Sequence, residues 1–292
     1  TVGRAWATGA GADAIPEEFV RQACEKALGN PFQLEQIVQL QVESGAIERA
    51  GDGWQVHPDR LVDVRIPGTL RDVVKAKLAR LGVLERGILE KAAAIGEVFW
   101  TGCVEMLRRV DEGHVWEEAD RFWNTTRRSD ELSQVLQELR RREIVLRAPQ
   151  STFPASRELS FKHTLERELL YESIEGPRRA RYHRSIAQWL ELQGQERTTE
   201  MAELIALHWE RGFNPRKAAG HYLNAADRAR EAHLNQKAVN LYRKAIECLS
   251  EDEAAARADV FHKLGKVHMT LGDHAEALGH FQEMLRLSWL LD

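Results

Sequence analysis

What this chain lacks narrows it more than what it holds. No apolar run approaches the ~20 residues that a membrane-spanning helix needs, and no secretory signal opens the chain. Cys24, Cys103 and Cys248 are the three cysteines, far apart and in no metal-ligand spacing. That pattern argues for a reduced, cytoplasmic setting over a disulfide scaffold or a zinc site. Eleven histidines form no HExxH pair and sit beside no cysteine pair; no Ser-His-Asp or Cys-His grouping can be argued from the order of residues. Charge of one sign is lacking too. The 41 Lys and Arg against 45 Asp and Glu leave a formal charge of −4, so no broad basic field draws in nucleic acid. A phosphate loop is missing: Gly9-Ala10-Gly11-Ala12 is not followed by Lys-Ser/Thr and does not satisfy GxxxxGK[ST]. The chain opens on Thr1-Val2-Gly3 and stops at Leu290-Leu291-Asp292, directly after an amphipathic pattern. It reads as an excised portion with no active site of its own, and not as an enzyme.

What is present is helix. Hydrophobic residues make up 43% and charged residues 29% of 292 positions, the balance of a helical protein with ample core. Residues 1–15 are rich in Gly and Ala and lack periodicity. Pro16 starts a helix to about Leu28, and Gly29-Asn30-Pro31-Phe32 stops it. A second helix carries Leu34, Ile37, Val38 and Val42 on one face and ends at Gly45. Ile47 to Arg49 and Trp54 to Val56 read as a small β-hairpin. Pro67 opens a new helical block, with Thr69 and Asp72 resembling a capping box. Its stripe is Leu70, Val73, Val74, Leu78 and Leu81; the next helix carries Leu84, Ile88, Ala92 and Ile95.

A shorter helix is expected over 101–110 and another near 115–124. Leu132, Val135, Leu136 and Leu139 give an amphipathic helix over 131–142. A strand over Glu143 to Arg147, a polar loop and a return strand over Leu159 to Lys162 then deliver His163 to a helix start. Three helices and a hairpin in this order make a winged-helix unit over about 83–163. Beyond it the spacing predicts helices near 164–174, 177–193, 200–212, 215–231, 235–249, 253–271 and 274–290, with breaks at Gly176-Pro177, Gly212 to Pro215 and Gly272, and a Ser250/Glu253 capping box.

The last segments repeat. Phe261, Leu264, Gly265, His268, Gly272, Ala277, Phe281 and Met284 fall on tetratricopeptide spacing. The small residues let two helices approach, and the aromatic is expected to fill the gap between hairpins. Ala238, Tyr242 and Ala245 occupy the late positions one repeat earlier, and Ala218, Tyr222 and Ala225 echo them. The expected fold is mainly α, a winged-helix domain followed by a helical arm with α-α repeats. Four regions are expected: 1–66, the end of an ATPase lid with a small hairpin; 67–163, the winged helix; 164–198, a linker arm; and 199–292, a truncated repeat array.

Three motifs in this order resemble the C-terminal part of a bacterial STAND-class, AAA-like signalling ATPase. Gly29-Asn30-Pro31-Phe32 is similar to the GxP signature that ends the ATPase module. Ile66-Pro67-Gly68-Thr69-Leu70, with Leu78-Ala79-Arg80-Leu81 and Lys91-Ala92-Ala93-Ala94-Ile95-Gly96, resembles the connector into the winged helix. Phe161-Lys162-His163-Thr164-Leu165, Tyr171-Glu172-Ser173-Ile174 and Arg179-Ala180-Arg181-Tyr182-His183-Arg184 resemble the entry to the helical arm. The resemblance implies signal transduction: an upstream ATPase domain holding ATP or ADP, homo-oligomerisation, a protein ligand on the repeats, and a kinase, cyclase or DNA-binding output. No nucleotide is held by this portion alone, since an acidic Walker B strand is also lacking.

The resemblance further implies that Gly29 and Pro31 pack on adenine and that His163 bonds the ADP β-phosphate. At His163 the family's following aspartate is Thr164. An imidazole at a helix N-terminus suits an anion. The plain alternatives are a helix stop at Gly29 and Pro31 and a hairpin-capping histidine. Arg178, Arg179, Arg181 and Arg184 oppose a helix dipole; Glu172 and Glu175 are the expected local partners, and a protein or phosphate the alternative. Arg140, Arg141, Arg142 and Arg147 suggest a DNA-binding regulator. However, the reading half of that helix shows Glu131, Ser133, Gln134 and Glu138, which phosphates would repel, so nucleic acid is not expected. A passive repeat scaffold is the third reading. Trp189 and Trp209 are expected in the core.

Overall fold

The computed structural model describes residues 17–27, 29–43, 45–50, 53–57, 60, 70–113, 126–194 and 200–291. The expected tail over 1–15, the Thr69 cap and the helix near 115–124 lie outside these residues. The fold is mainly α, with thirteen helices and five short strands among the described residues. No helix among them is long and apolar enough to cross a membrane.

The chain divides into two compact units, residues 1–89 with 163–170, and residues 90–162 with 171–292. In the first unit α1 (Glu17–Ala27) and α2 (Pro31–Glu43) pack together, followed by the hairpin β1 (Ile47–Ala50) and β2 (Gly53–Val56) and by α3 (Leu70–Ala79). The hairpin register pairs Ile47 with Val56 and Ala50 with Gly53. Phe19, Ala23, Ile37, Ala46, Ile47 and Val73 make its core, with Leu34 and Val42 packed against it. Helix α4 (Val83–Ile95) starts in this unit and ends in the second. Its apolar face is Ile88, Leu89, Ala92 and Ile95; Leu84, expected inside, is 40% exposed.

The second unit continues with β3 (Val98–Trp100), α5 (Thr101–Asp111), α6 (Thr126–Arg141), β4 (Val145–Arg147) and β5 (Glu158–Phe161). The three strands form an antiparallel sheet in the order β3-β5-β4. Strand β3 has no counterpart in the sequence reading. It is only three residues long, too short to show alternation. The strand expected from Glu143 starts two residues later, because Glu143 takes a left-handed φ of 55° and turns the chain out of α6. Helix α6 also begins earlier than expected, at Thr126. The loop between β4 and β5 is packed by its one aromatic residue. Phe153 packs edge-on against both Trp100 and Trp189, centroids 5.1 and 5.0 Å apart.

Helix α7 (Thr164–Ser173) spans the boundary between the units. The arm then runs through α8 (Gly176–Gly194), α9 (Ala202–Arg211), α10 (Pro215–Glu231), α11 (Asn235–Cys248), α12 (Ala254–Leu271) and α13 (His274–Ser288), each packed on the next. The α10–α11 and α12–α13 pairs are the most extensive contacts. The breaks are physical. Asn214 caps α10, its side chain accepting from the Lys217 N–H, with Pro215 at the first position. Gly272 closes α12 with φ 82°. The capping box at Ser250 is displaced: α12 starts at Ala254, Glu253 itself is the N-cap, and its carboxylate accepts the Ser250 N–H at 3.1 Å.

Candidate functional site

Gly29, Asn30 and Pro31 form the junction between α1 and α2. Gly29 sits at φ 79°, a conformation that a side chain would strain. Asn30 accepts the Gln33 N–H on its side chain at 3.4 Å, and Pro31 takes the first helical position, where its missing donor costs nothing. Gly29 and Pro31 are both exposed, and a Cβ on Gly29 would meet nothing within 4 Å. The junction is therefore a local helix stop that leaves an apolar ring open to a ligand.

His163 precedes α7 by one residue and is half-buried; its carbonyl accepts the Glu166 N–H at 3.2 Å. One turn on, Glu166 carries a charge that sequence reasoning missed. Lys77 Nζ from α3 donates to Glu166 Oε1 at 2.8 Å and to Gln39 Oε1 of α2 at 3.2 Å. The two charged side chains are 2% and 0% exposed. A buried pair of this kind holds geometry because losing either partner strands a charge in low dielectric. Three helices of the first unit are thus pinned at one point, one turn after His163 and two turns into the helix that Pro31 opens. The signal available in the sequence was a lysine on the same face as Val73, Val74 and Leu78.

The arginines of α8 find their counter-charge elsewhere than expected. Asp111, the last residue of α5, accepts Arg178 at 2.7 Å, Arg181 at 2.9 Å, Lys91 at 2.7 Å and the Tyr182 hydroxyl. Glu90 lies 3.5 Å from Arg178. Glu172 and Glu175 were the expected partners on grounds of nearness in sequence; for Arg178 and Arg181 the fold supplies an acid from another helix. Burial alone would raise the Asp111 carboxyl. Hydrogen bonds from Arg178, Lys91 and Tyr182 outweigh it and hold the group well below the usual carboxylate range. Arg184 donates to the Gly212 carbonyl at 3.0 Å, and Arg179 lies 5.0 Å over the Tyr171 ring. These contacts answer the dipole problem of an arginine-rich N-terminus.

Two turns into α8 lies a buried histidine pair. His183 Nδ1 and His208 Nδ1 are 2.8 Å apart, and the Tyr171 hydroxyl is 2.8 Å from His183 Nε2. Both rings are about 1% exposed. Burial, then the charges of His208, Arg211 and Arg179, lowers His183 to about 2. Burial, then Arg211, lowers His208 to about 3. Both rings are therefore neutral. His208 Nε2 is buried without a hydrogen-bond partner among the described residues, and between the two Nδ1 atoms one neutral ring donates and the other accepts.

The arm repeats a device. Tyr182 donates to Asp111, Tyr222 to Glu210 and Tyr242 to Asp227, in each case a buried ring reaching a carboxylate on an earlier helix. Trp189 and Trp209 are core, as expected. Phe281, expected between hairpins, is half-buried. It fills the notch over Gly265 within the α12–α13 pair, where an added Cβ would stand 2.5 Å from the ring.

On α6, Glu131, Gln134 and Glu138 are exposed, as are Arg140 and Arg141 at its end; the earlier start at Thr126 puts Arg127 and Arg128 into its first turn. Glu131 accepts Arg108 and Glu138 accepts Arg141. Among the described residues no group of three His, Cys, Asp or Glu side chains is placed to hold a metal ion.

Neither a family model nor a curated protein matches the chain. Gly29, Pro31 and His163 all belong to the first unit, and the four arginines belong to the second.

Proposed function

We propose that this chain is the regulatory and protein-interaction region of a STAND-class signalling ATPase. In this reading an attached ATPase domain supplies the phosphate loop and holds ATP or ADP. Pro31 covers the adenine and His163 bonds the β-phosphate, keeping the protein closed. A protein ligand on the arm, with nucleotide exchange, releases His163 and permits oligomerisation in the cytoplasm.

The observation that carries the reading is the Lys77–Glu166–Gln39 contact. It fastens the helix after His163 to the helix that begins at Pro31. A nucleotide touched by both would be gripped by parts that move as one, and a shift of α7 would disturb both. The winged-helix reading of 83–163 accords with the β3-β5-β4 sheet and the two helices between β3 and β4.

The test uses the protein with its ATPase domain attached, purified without added nucleotide. A hydrogen bond to a charged phosphate contributes roughly 1.5–3 kcal/mol, so His163→Ala should lower retained ADP about tenfold or more and raise the oligomeric fraction. Unchanged ADP content together with unchanged assembly would refute the proposal.

A further inference from the structure

The four arginines of α8 part company in the fold. Arg178 and Arg181 reach Asp111; Arg179 and Arg184 reach the corner where α9 ends and α10 begins. Arg179 lies 5.0 Å over the Tyr171 ring, and Arg211, the last residue of α9, lies 6.0 Å over the same ring. Arg184 donates to the carbonyl of Gly212, the next residue on. Its stem takes the place of a side chain there, since a Cβ on Gly212 would stand 2.7 Å from Arg184 Cγ. Three guanidiniums therefore gather at one corner.

Their charge is not neutralised within the chain. Among the described residues no carboxylate pairs with Arg179, Arg184 or Arg211, and Arg179 and Arg211 donate no hydrogen bond. Glu210, the acid next to Arg211, accepts the Tyr222 hydroxyl. The His183–His208 pair that Tyr171 touches is neutral and supplies no counter-charge. Stacking on a ring engages the flat face of a guanidinium and leaves its N–H edge free for an acceptor.

An apolar group stands beside them. Phe213 is 80% exposed and takes φ 58°. Its N–H bonds the Glu210 carbonyl and the Asn214 N–H bonds the Trp209 carbonyl, the pattern that Gly272 and Asp273 repeat at the end of α12. Glycine is the usual residue at that position, and a bulky one is strained there. The fold thus presents a large ring to solvent under a strain that packing within the chain does not offset. Arginine and aromatic side chains are those that protein interfaces concentrate. Charge decides the partner. Three arginine forks without an acid match a phosphoryl group, with about −1.5 to −2 charges and three acceptor oxygens, better than a single carboxylate.

We infer that the α9–α10 corner binds a phosphorylated side chain of a partner protein, with Arg179, Arg184 and Arg211 on the phosphoryl oxygens and Phe213 against the apolar part beside it. The inference rests on the proposed function only for the presence of a protein ligand on the arm. It needs neither an ATPase domain nor a nucleotide, so either can fail alone.

Phenyl phosphate, a phosphoryl group on an apolar ring, and inorganic phosphate are titrated into the whole chain at fixed ionic strength and followed by phosphorus NMR line broadening. Phenyl phosphate should bind with a dissociation constant on the order of 1 mM, and inorganic phosphate about fivefold more weakly. R179Q/R211Q, with unaltered far-UV dichroism, should weaken both about tenfold or more. R179K/R211K, which keeps the charge and loses the fork, should weaken both about fivefold. Phe213→Ala should bring phenyl phosphate down to the affinity of inorganic phosphate. No binding of phenyl phosphate below about 20 mM overturns the inference, as does binding that both arginine double variants leave unchanged. Benzoate bound as tightly as phenyl phosphate would put a carboxylate in place of the phosphoryl group. Equal affinity for inorganic phosphate, or a preference that survives Phe213→Ala, would put a free phosphate compound in place of a protein side chain. Either result overturns the assignment.

Discussion

Acid should loosen the arm through the His183–His208 pair, by an amount that can be worked out. Both rings are buried and neutral in the fold, with values of about 2 and about 3 against an ordinary 6.5. In the unfolded chain both take up a proton as the pH drops through 6.5. In the fold they do not, so the unfolded state binds more protons and stability falls with falling pH. The contribution is fully present above 6.5 and is lost toward the folded values. At pH 5 each ring costs about 2 kcal/mol, and the pair about 4 kcal/mol. That is a large part of a domain's stability. Asp111, Glu158 and Glu191 are lowered carboxyls. Their stabilisation is present above the ordinary carboxylate values of 3.8 and 4.5 and fades below them, so they contribute little between pH 7.5 and 5. Urea unfolding at steps across this range, followed by tryptophan fluorescence, gives the wild-type slope. His183→Gln/His208→Gln keeps polar groups in place and removes the titration. The wild type should lose about 4 kcal/mol more than the variant between pH 7.5 and 5. Parallel stability curves would show that the pair is protonated or solvated in the fold, and the reasoning would fail.

Two further outcomes follow from packing and charge. Gly265→Ala puts a Cβ 2.5 Å from the Phe281 ring and should destabilise by about 1–3 kcal/mol. Gly220→Ala meets nothing within 4 Å inside α10 and should stabilise by about 0.5–1 kcal/mol; thermal unfolding of the two variants should move in opposite directions. Lys77→Met and Glu166→Leu should each cost about 3–5 kcal/mol alone, while the double variant returns close to wild type. A double-mutant cycle in urea with no coupling between the sites would remove the pair from the account of the first unit.

Much of the helical layout was legible along the chain. Helix α10 was placed to the residue, because Asn214-Pro215 is a local start signal and the apolar spacing carries the rest. Gly272 and Gly45 marked helix ends for a local reason as well: each adopts a positive φ that other residues resist. The GxP-like junction was legible as a helix stop on the same grounds. What escaped was short or distant. Strand β3 is three residues whose pairing partner, β5, lies far down the chain. The counter-charge of Arg178 is Asp111 on another helix, where sequence nearness had favoured Glu172 and Glu175.

The sequence by itself determined where helices start, stop and turn an apolar face inward, since caps, glycines and 3.6-residue spacing act within a few residues. Only the tertiary structure decided which charges are buried together. Lys77 meets Glu166 and Asp111 gathers two arginines because helices far apart in the chain pack side by side, and His183 meets His208 where consecutive helices α8 and α9 pack. Such pairs owe their existence to desolvation, which depends on what surrounds a group in space and leaves no mark on its neighbours in sequence.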